Sequence, residues 1–198
     1  KHSAGELVHF VTDSTNLQVR WELTSASLAM PHMPATGVSG VDLYVKLPSG
    51  QWHWLATGQP RAQTNTATLA SGLPPGRREF LLYLPLYNGV RSVELGVNAD
   101  AELAPPGPWG PGTRKPILFY GTSITQGGCA SRPGMAHVAL LGRRFNFPTI
   151  NLGFSGNGGE LLVSKGKGWS LEEVVAFNSG RHSLKFGGIF QFQNQLRN

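Results

Sequence analysis

Residues 116–129 read Pro-Ile-Leu-Phe-Tyr-Gly-Thr-Ser-Ile-Thr-Gln-Gly-Gly-Cys. Ile117, Leu118, Phe119 and Tyr120 form an unbroken apolar run of the length of a strand buried on both faces. Gly121 ends the run, and Thr122 and Ser123 follow it. A small polar side chain is therefore expected at the carboxyl edge of a sheet, where open α/β sheets carry their chemistry. Ser123 is the candidate nucleophile. Taken alone, the pattern fits equally well a buried strand followed by an ordinary polar turn, so the choice rests on the neighbouring sequence.

Downstream, Ser131 and Pro133 precede residues 135–145, where Val138, Leu141 and Phe145 recur at spacings of three and four. This predicts an amphipathic helix that exposes Arg143 and Arg144 near its C-terminal end. Asn146-Phe147-Pro148 closes it, and Thr149-Ile150-Asn151-Leu152 is a second strand running into Gly153-Phe154-Ser155-Gly156-Asn157-Gly158-Gly159. Strand, helix and strand in so short a span make a βαβ unit with a parallel pair. Both strands then finish at one edge, each in a Gly/Ser-rich turn. Acyl transfer needs donors aimed at the oxyanion as well as a nucleophile. The backbone N–H of Gly156 and that of Ser123 are the candidates. The same glycines do not read as a phosphate loop, since neither Gly-Lys-Ser/Thr nor Gly-x-Gly-x-x-Gly is present.

Upstream, residues 8–11 and 17–23 are strands joined by the turn cluster Asp13-Ser14-Thr15-Asn16, and a hairpin is expected there. Further strands are expected at 38–47, 52–55, 66–70, 79–84 and 90–97. Short strands with recurrent turns and little helical period predict an antiparallel sandwich. Trp52 and Trp54 share a strand face with His53 on the other. They serve either as a sugar platform or, the preferred reading, as filling for a core or cover for a neighbouring domain. Asp42, after Gly40-Val41, is expected to cap a turn or accept backbone donors. Residues 103–112 hold four prolines and three glycines, too many for a helix or a central strand, and mark a connection over the surface.

The 198 residues carry a net charge of +6, but the basic residues occur as scattered pairs with no nucleic-acid module around them, so nucleic acid is not an expected partner. No apolar window is long enough to span a membrane. Cys129 is the one cysteine, which removes any internal disulfide. A removed leader would place the chain in a secreted or periplasmic setting, and without one it is expected in the cytoplasm. Nothing in the pattern sets an oligomeric state.

Residues 120–128 and 151–158 resemble the first two sequence blocks of SGNH hydrolases, the GDSL-type esterases, and Gly40-Val41-Asp42-Leu43-Tyr44 resembles the signature of the GxDLY domain that precedes one bacterial branch of them. The resemblance implies a β-sandwich (residues 1–103), a Pro/Gly-rich linker (104–115) and the beginning of a flavodoxin-like α/β/α hydrolase domain (116–159). It implies ester hydrolysis without metal or organic cofactor, on a small-molecule or carbohydrate ester. Ser123 would be the nucleophile and Gly156 an oxyanion donor. Thr122 stands where many relatives have Asp, a variation within this branch.

The family's Asn block and its closing Asp-x-x-His block find no counterpart. Asn157 lies within the second block, the last Asp of the chain is Asp100, and Ser179 stands three residues before His182. His182 is the one histidine after the βαβ unit and so the remaining candidate base, against a solvated loop histidine. Residues 160–198 form an atypical tail, with a helix expected from Ser170 through Phe177 and an edge strand at 189–192. About eighty-five residues follow the Pro/Gly stretch, and a truncated or replaced hydrolase domain is the expectation. The alternative function is a non-catalytic carbohydrate-binding or interaction module working through the sandwich.

Overall fold

A computed structural model describes residues 2–107, 115–154, 168–179 and 182–193. The fold is mostly antiparallel sheet with a small α/β part. The first part is a sandwich of two sheets. One has the order β4-β3-β6-β1-β8, made of β1 (Leu7–Thr12), β3 (Val41–Lys46), β4 (Trp52–Gly58), β6 (Arg78–Tyr83) and β8 (Leu103–Ala104). The other has the order β5-β2-β7, made of β2 (Leu17–Leu23), β5 (Thr64–Ala70) and β7 (Val90–Gly96). Alternation sets the faces. Leu17, Val19, Trp21 and Leu23 of β2 turn inward to meet Val41 and Leu43 of β3 and Phe80 and Leu82 of β6 in one dry core.

Two expectations fail here. β1 and β2 do not form a hairpin: β1 pairs with β6 and β8, whereas β2 pairs with β5 and β7. The 13–16 turn crosses between the sheets, and the Ser14 hydroxyl donates to Asn16 O at 2.6 Å to shape it. Val38 lies not in a strand but in a one-turn helix, α1 (Ala35–Val38), which Pro34 enters.

In the second part, β9 (Ile117–Gly121) and β10 (Thr149–Gly153) pair in parallel, with Asn151 opposite Phe119 and Leu152 opposite Tyr120. Between them come α2 (Ser123–Gln126), a 3-10 turn (Pro133–Met135) and α3 (His137–Phe145). The βαβ unit stands, but α3 buries Val138, Ala139 and Gly142, while Phe145 is 59% exposed. Small residues form its inner stripe because the helix lies close over β10. A Cβ on Gly142 would sit 3.1 Å from the Thr149 hydroxyl.

The helix expected from Ser170 is instead a strand, β11 (Gly168–Ser179), paired with β12 (His182–Gln193) in a sheet ordered β10-β9-β11-β12. Its Val174-Val175 pair and flanking aromatics favour extended backbone. A ladder on both sides, with β12 and with β9, then outweighs a weak capping signal. The strand expected at 189–192 lies within β12 on the sheet edge.

Candidate active site

β9 delivers the chain to the carboxyl edge at Gly121, and Ser123 opens α2 there as an exposed residue. As the first residue of the helix, it has a main-chain N–H with no acceptor inside the helix. Its carbonyl, by contrast, accepts from Gly128 N at 2.7 Å, from Gly127 N at 3.1 Å and from the Tyr87 hydroxyl at 2.8 Å. Burial pushes the Tyr87 phenol above its ordinary pKa, so it stays a neutral donor. Three residues on, buried Gln126 donates from Nε2 to Leu86 O at 2.7 Å, and this Nε2 also lies 2.9 Å from His2 Nδ1. The Ser123 turn is therefore tied down by the segment that leaves β6 of the sandwich.

β10 approaches the same turn from the side. A Cβ on Gly153 would lie 2.0 Å from the Gln126 nitrogen, so only glycine lets α2 cross the end of this strand. Phe154 N donates to Gly121 O at 3.1 Å and carries the parallel pairing past the strand end. Gly156 and Asn157 lie outside the described residues. Asn151 points to the α2 side, where its Nδ2 donates to Thr125 O at 2.9 Å.

His182 is not brought to Ser123. β11 runs antiparallel to β9 with Val174 opposite Tyr120 and Ala176 opposite Leu118, so β11 recedes from the Ser123 edge after Val174. Ser179, the ladder partner of His182, is five residues beyond Val174, roughly 16 Å down the sheet at ~3.3 Å per residue. The backbone of His182 thus sits toward the opposite edge. Among the described residues, no group of three His, Cys, Asp or Glu stands together as a metal site.

The feature that the sequence did not disclose is the seam between sandwich and α/β part. Asp42 and Tyr44 of β3 face it, while Val41 and Leu43 face the sandwich core. The Asp42 carboxylate has no solvent exposure and accepts from Trp54 Nε1 (3.0 Å), Thr57 Oγ1 (2.9 Å) and Gly134 N (3.0 Å). Arg132 Nε lies 3.3 Å away. Burial raises the Asp42 pKa, and the bonds from Thr57, Gly134 and Trp54, with the charge of Arg132, pull it back only in part. Gly134 is obligatory, because a Cβ there would lie 2.3 Å from the Tyr44 ring and 2.6 Å from the Asp42 carboxylate. Arg143 is not a solvated helix end. Its guanidinium lies 3.7 Å from the Tyr44 ring centre and donates to Gly134 O at 2.6 Å. Asp42 does take a backbone donor, but from ninety-two residues away rather than from its own turn. Trp52 packs beside Tyr44, Tyr83 and Ala139 of α3, and so covers the neighbouring part as expected.

Residues 1–103 match the family profile described as the N-terminus of SGNH-hydrolase-type esterases, defined by the GxDLY signature. The chain belongs to that family. Residues 114–162 of this esterase-family chain match the GDSL-like lipase/acylhydrolase family. A GDSL-like lipase candidate from Bacteroides ovatus ATCC 8483 is 37% identical, with a TM-score of 0.73 over 79% of this chain and 45% of that one. The salicylyl-acyltransferase SsfX3 from a tetracycline biosynthetic pathway is 24% identical, with a TM-score of 0.59 over 81% of this chain and 42% of its own. A family two carbohydrate esterase from Clostridium thermocellum, solved with cellohexaose, is 20% identical, with a TM-score of 0.55 over 78% and 46%. The last two show a shared fold alone. The chain spans less than half the length of each of the three. No curated protein matches it.

Proposed function

We propose that this chain carries the nucleophile half of an SGNH-type ester hydrolase, with Ser123 as the attacking residue and acyl esters of carbohydrates as the substrate class. The observation that carries it is the placement of Ser123, exposed at the first turn after a parallel strand, with no acceptor for its N–H inside the helix and its carbonyl held by three donors. Ser123 Oγ would attack the acyl carbon, and the Ser123 N–H, with that of Gly156 beyond the end of β10, would bind the oxyanion. Collapse of the tetrahedral intermediate would break the ester C–O bond and expel the alcohol with the proton a base had taken from Ser123. Water would then hydrolyse the acyl-enzyme to the free acid and restore Ser123. The fold shared with a carbohydrate esterase supports the choice of substrate class.

The proton of Ser123 needs a base, and the ladder register sets the His182 backbone at the other end of the sheet. Loss of a triad histidine typically lowers kcat about a million-fold. The 198-residue chain is therefore expected to hydrolyse p-nitrophenyl acetate scarcely above background. With imidazole supplied in solution as the base, intact-mass measurement should find an acetyl adduct that Ser123→Ala abolishes. An equal adduct in Ser123→Ala would refute Ser123 as nucleophile. Rapid turnover without imidazole would show that the chain supplies a base of its own.

The alternative of a non-catalytic glycan module rests on the 52% exposure of Trp54. Its indole N–H is already committed to Asp42 and Thr57, and the Arg132 guanidinium lies 4.9 Å from its ring centre. Trp54 therefore serves as the cover of the seam.

A further inference from the structure

Where the β3–β4 turn meets the outer side of α3, the seam opens into a groove of about 460 Å³. Its lining includes Arg132, Arg143 and Arg144 together with Tyr44, Gln51 and Trp52. Among the described residues, no Asp or Glu lines it. Of the three arginines, Arg132 is answered by Asp42, whereas among the described residues neither Arg143 nor Arg144 has a carboxylate within ion-pair distance. The hydroxyl of Tyr44, a residue only 3% exposed, and Nη1 of Arg143 are among the buried polar atoms of the lining that make no hydrogen bond of normal geometry. Arg132 nevertheless stands beside the Tyr44 hydroxyl, and Arg143 beside Tyr83. Buried donors without partners are costly, and native structures seldom keep them unless something binds there. Burial and the nearby Asp42 hold the Tyr44 phenol protonated, with a pKa pushed up to about 12.

Two guanidiniums with no carboxylate beside them among the described residues, set in a half-enclosed cleft, concentrate anions. The planar forks of arginine match a carboxylate better than a point charge does. Trp52 brings an aromatic ring to the lining, and the amides of Gln51 and Asn146 are of the kind that bonds hydroxyls. We propose that this groove binds a uronic-acid-bearing saccharide, its carboxylate at Arg143 and Arg144 and a sugar ring against Trp52. The site is separate from Ser123 and stands whether or not the hydrolase reading does.

The test is isothermal titration of the 198-residue chain with tri-galacturonate, a neutral trisaccharide and sodium sulfate. Tri-galacturonate should bind with Kd below about 1 mM, and the neutral sugar at least tenfold more weakly. Arg144→Gln should lose about tenfold, the size of one charge-assisted hydrogen bond, and Gln51→Ala severalfold. Both residues are exposed, so folding is not at issue, and a circular-dichroism melt verifies it. Ser123→Ala should bind as the parent does, which separates this site from the ester site. Equal binding of acidic and neutral sugars, sulfate competing as strongly as the saccharide, or unchanged affinity in both variants would each overturn the proposal.

Discussion

The two faces of the β9–β10 pair differ sharply. On one, Phe119 is 6% exposed and Asn151 is bonded to α2, with α3 and the start of the chain packed alongside. On the other, Tyr120, Ile150, Leu152 and Phe154 are each exposed by more than a third. Both faces carry residues suited to an interior, and the polar one, Asn151, lies on the covered side. A parallel sheet ordinarily buries both faces, which is why its strands read as continuous apolar runs. Over the covered side, the GxDLY strand locks onto the 3-10 turn and α3 through charged and polar groups as well as apolar ones.

The largest test of that contrast is Asp42→Ala. It strands Arg132, Trp54 Nε1, Thr57 and the Gly134 N–H at once, and removing one partner of a buried ion pair typically costs about 3–5 kcal/mol. Urea denaturation should show this as a lower midpoint. A loss under about 1 kcal/mol would mean that the seam does not hold the two parts together.

The same carboxylate makes the seam sensitive to pH. Because burial raises the Asp42 pKa above its ordinary value of 3.8, the folded protein holds this proton more tightly than the unfolded chain does. Stability from Asp42 is then greatest below its unfolded pKa and is lost as pH rises through the folded one. The slope is at most ~1.4 kcal/mol per pH unit for one proton. Stability measured against pH for the parent and for Asp42→Asn should differ by this downward slope just above pH 3.8. An upward slope in the difference would mean that the Arg132 pair, rather than burial, governs Asp42.

A smaller effect is expected where the sandwich touches the Ser123 turn. Tyr87→Phe deletes one of three donors to Ser123 O and should cost about 1 kcal/mol, the net value of one such bond. Hydrogen exchange at Gly127 and Gly128 should quicken as their shared acceptor loosens. Unchanged exchange would show that α2 is held from within its own turn.

Much of this architecture is legible in the sequence, and the parts that are not share a cause. The strands of the sandwich, the βαβ unit and the position of Ser123 depend on local periodicity and turn chemistry, so residues 17–23 or 117–120 declare themselves. Pairing partners do not. The 13–16 turn looks like a hairpin whether its strands share a sheet or face each other across a core. Arg143 and Phe145 were placed by helical period alone, but α3 turns by the needs of the Tyr44 ring and the Thr149 side chain, both distant in sequence. Residues 170–177 carry a capping pattern that a two-sided ladder overrides. Tyr87 gave no signal, because its role exists only once Ser123 is beside it. The GxDLY signature was legible as a family mark but not as a mechanism. Its Asp and Tyr are spaced to reach out of the sandwich, and what they reach is ninety residues away.

The mildest substitution addresses the exposed face directly. Leu152→Thr keeps a residue that suits a strand, on a strand at the sheet edge, at a position 36% exposed. With the side chain partly in water already, the change should cost no more than ~0.5 kcal/mol. The companion is Phe119→Ala, one strand over on the covered face, for which loss of a buried ring predicts about 3–5 kcal/mol. Both are read from urea midpoints on the same chain, so the ratio matters more than either value. A ratio near one would mean that Leu152 is as well covered in solution as Phe119, by a second copy or by other parts of the polypeptide. A penalty for Leu152→Thr that falls as the protein is diluted would assign the cover to a second copy.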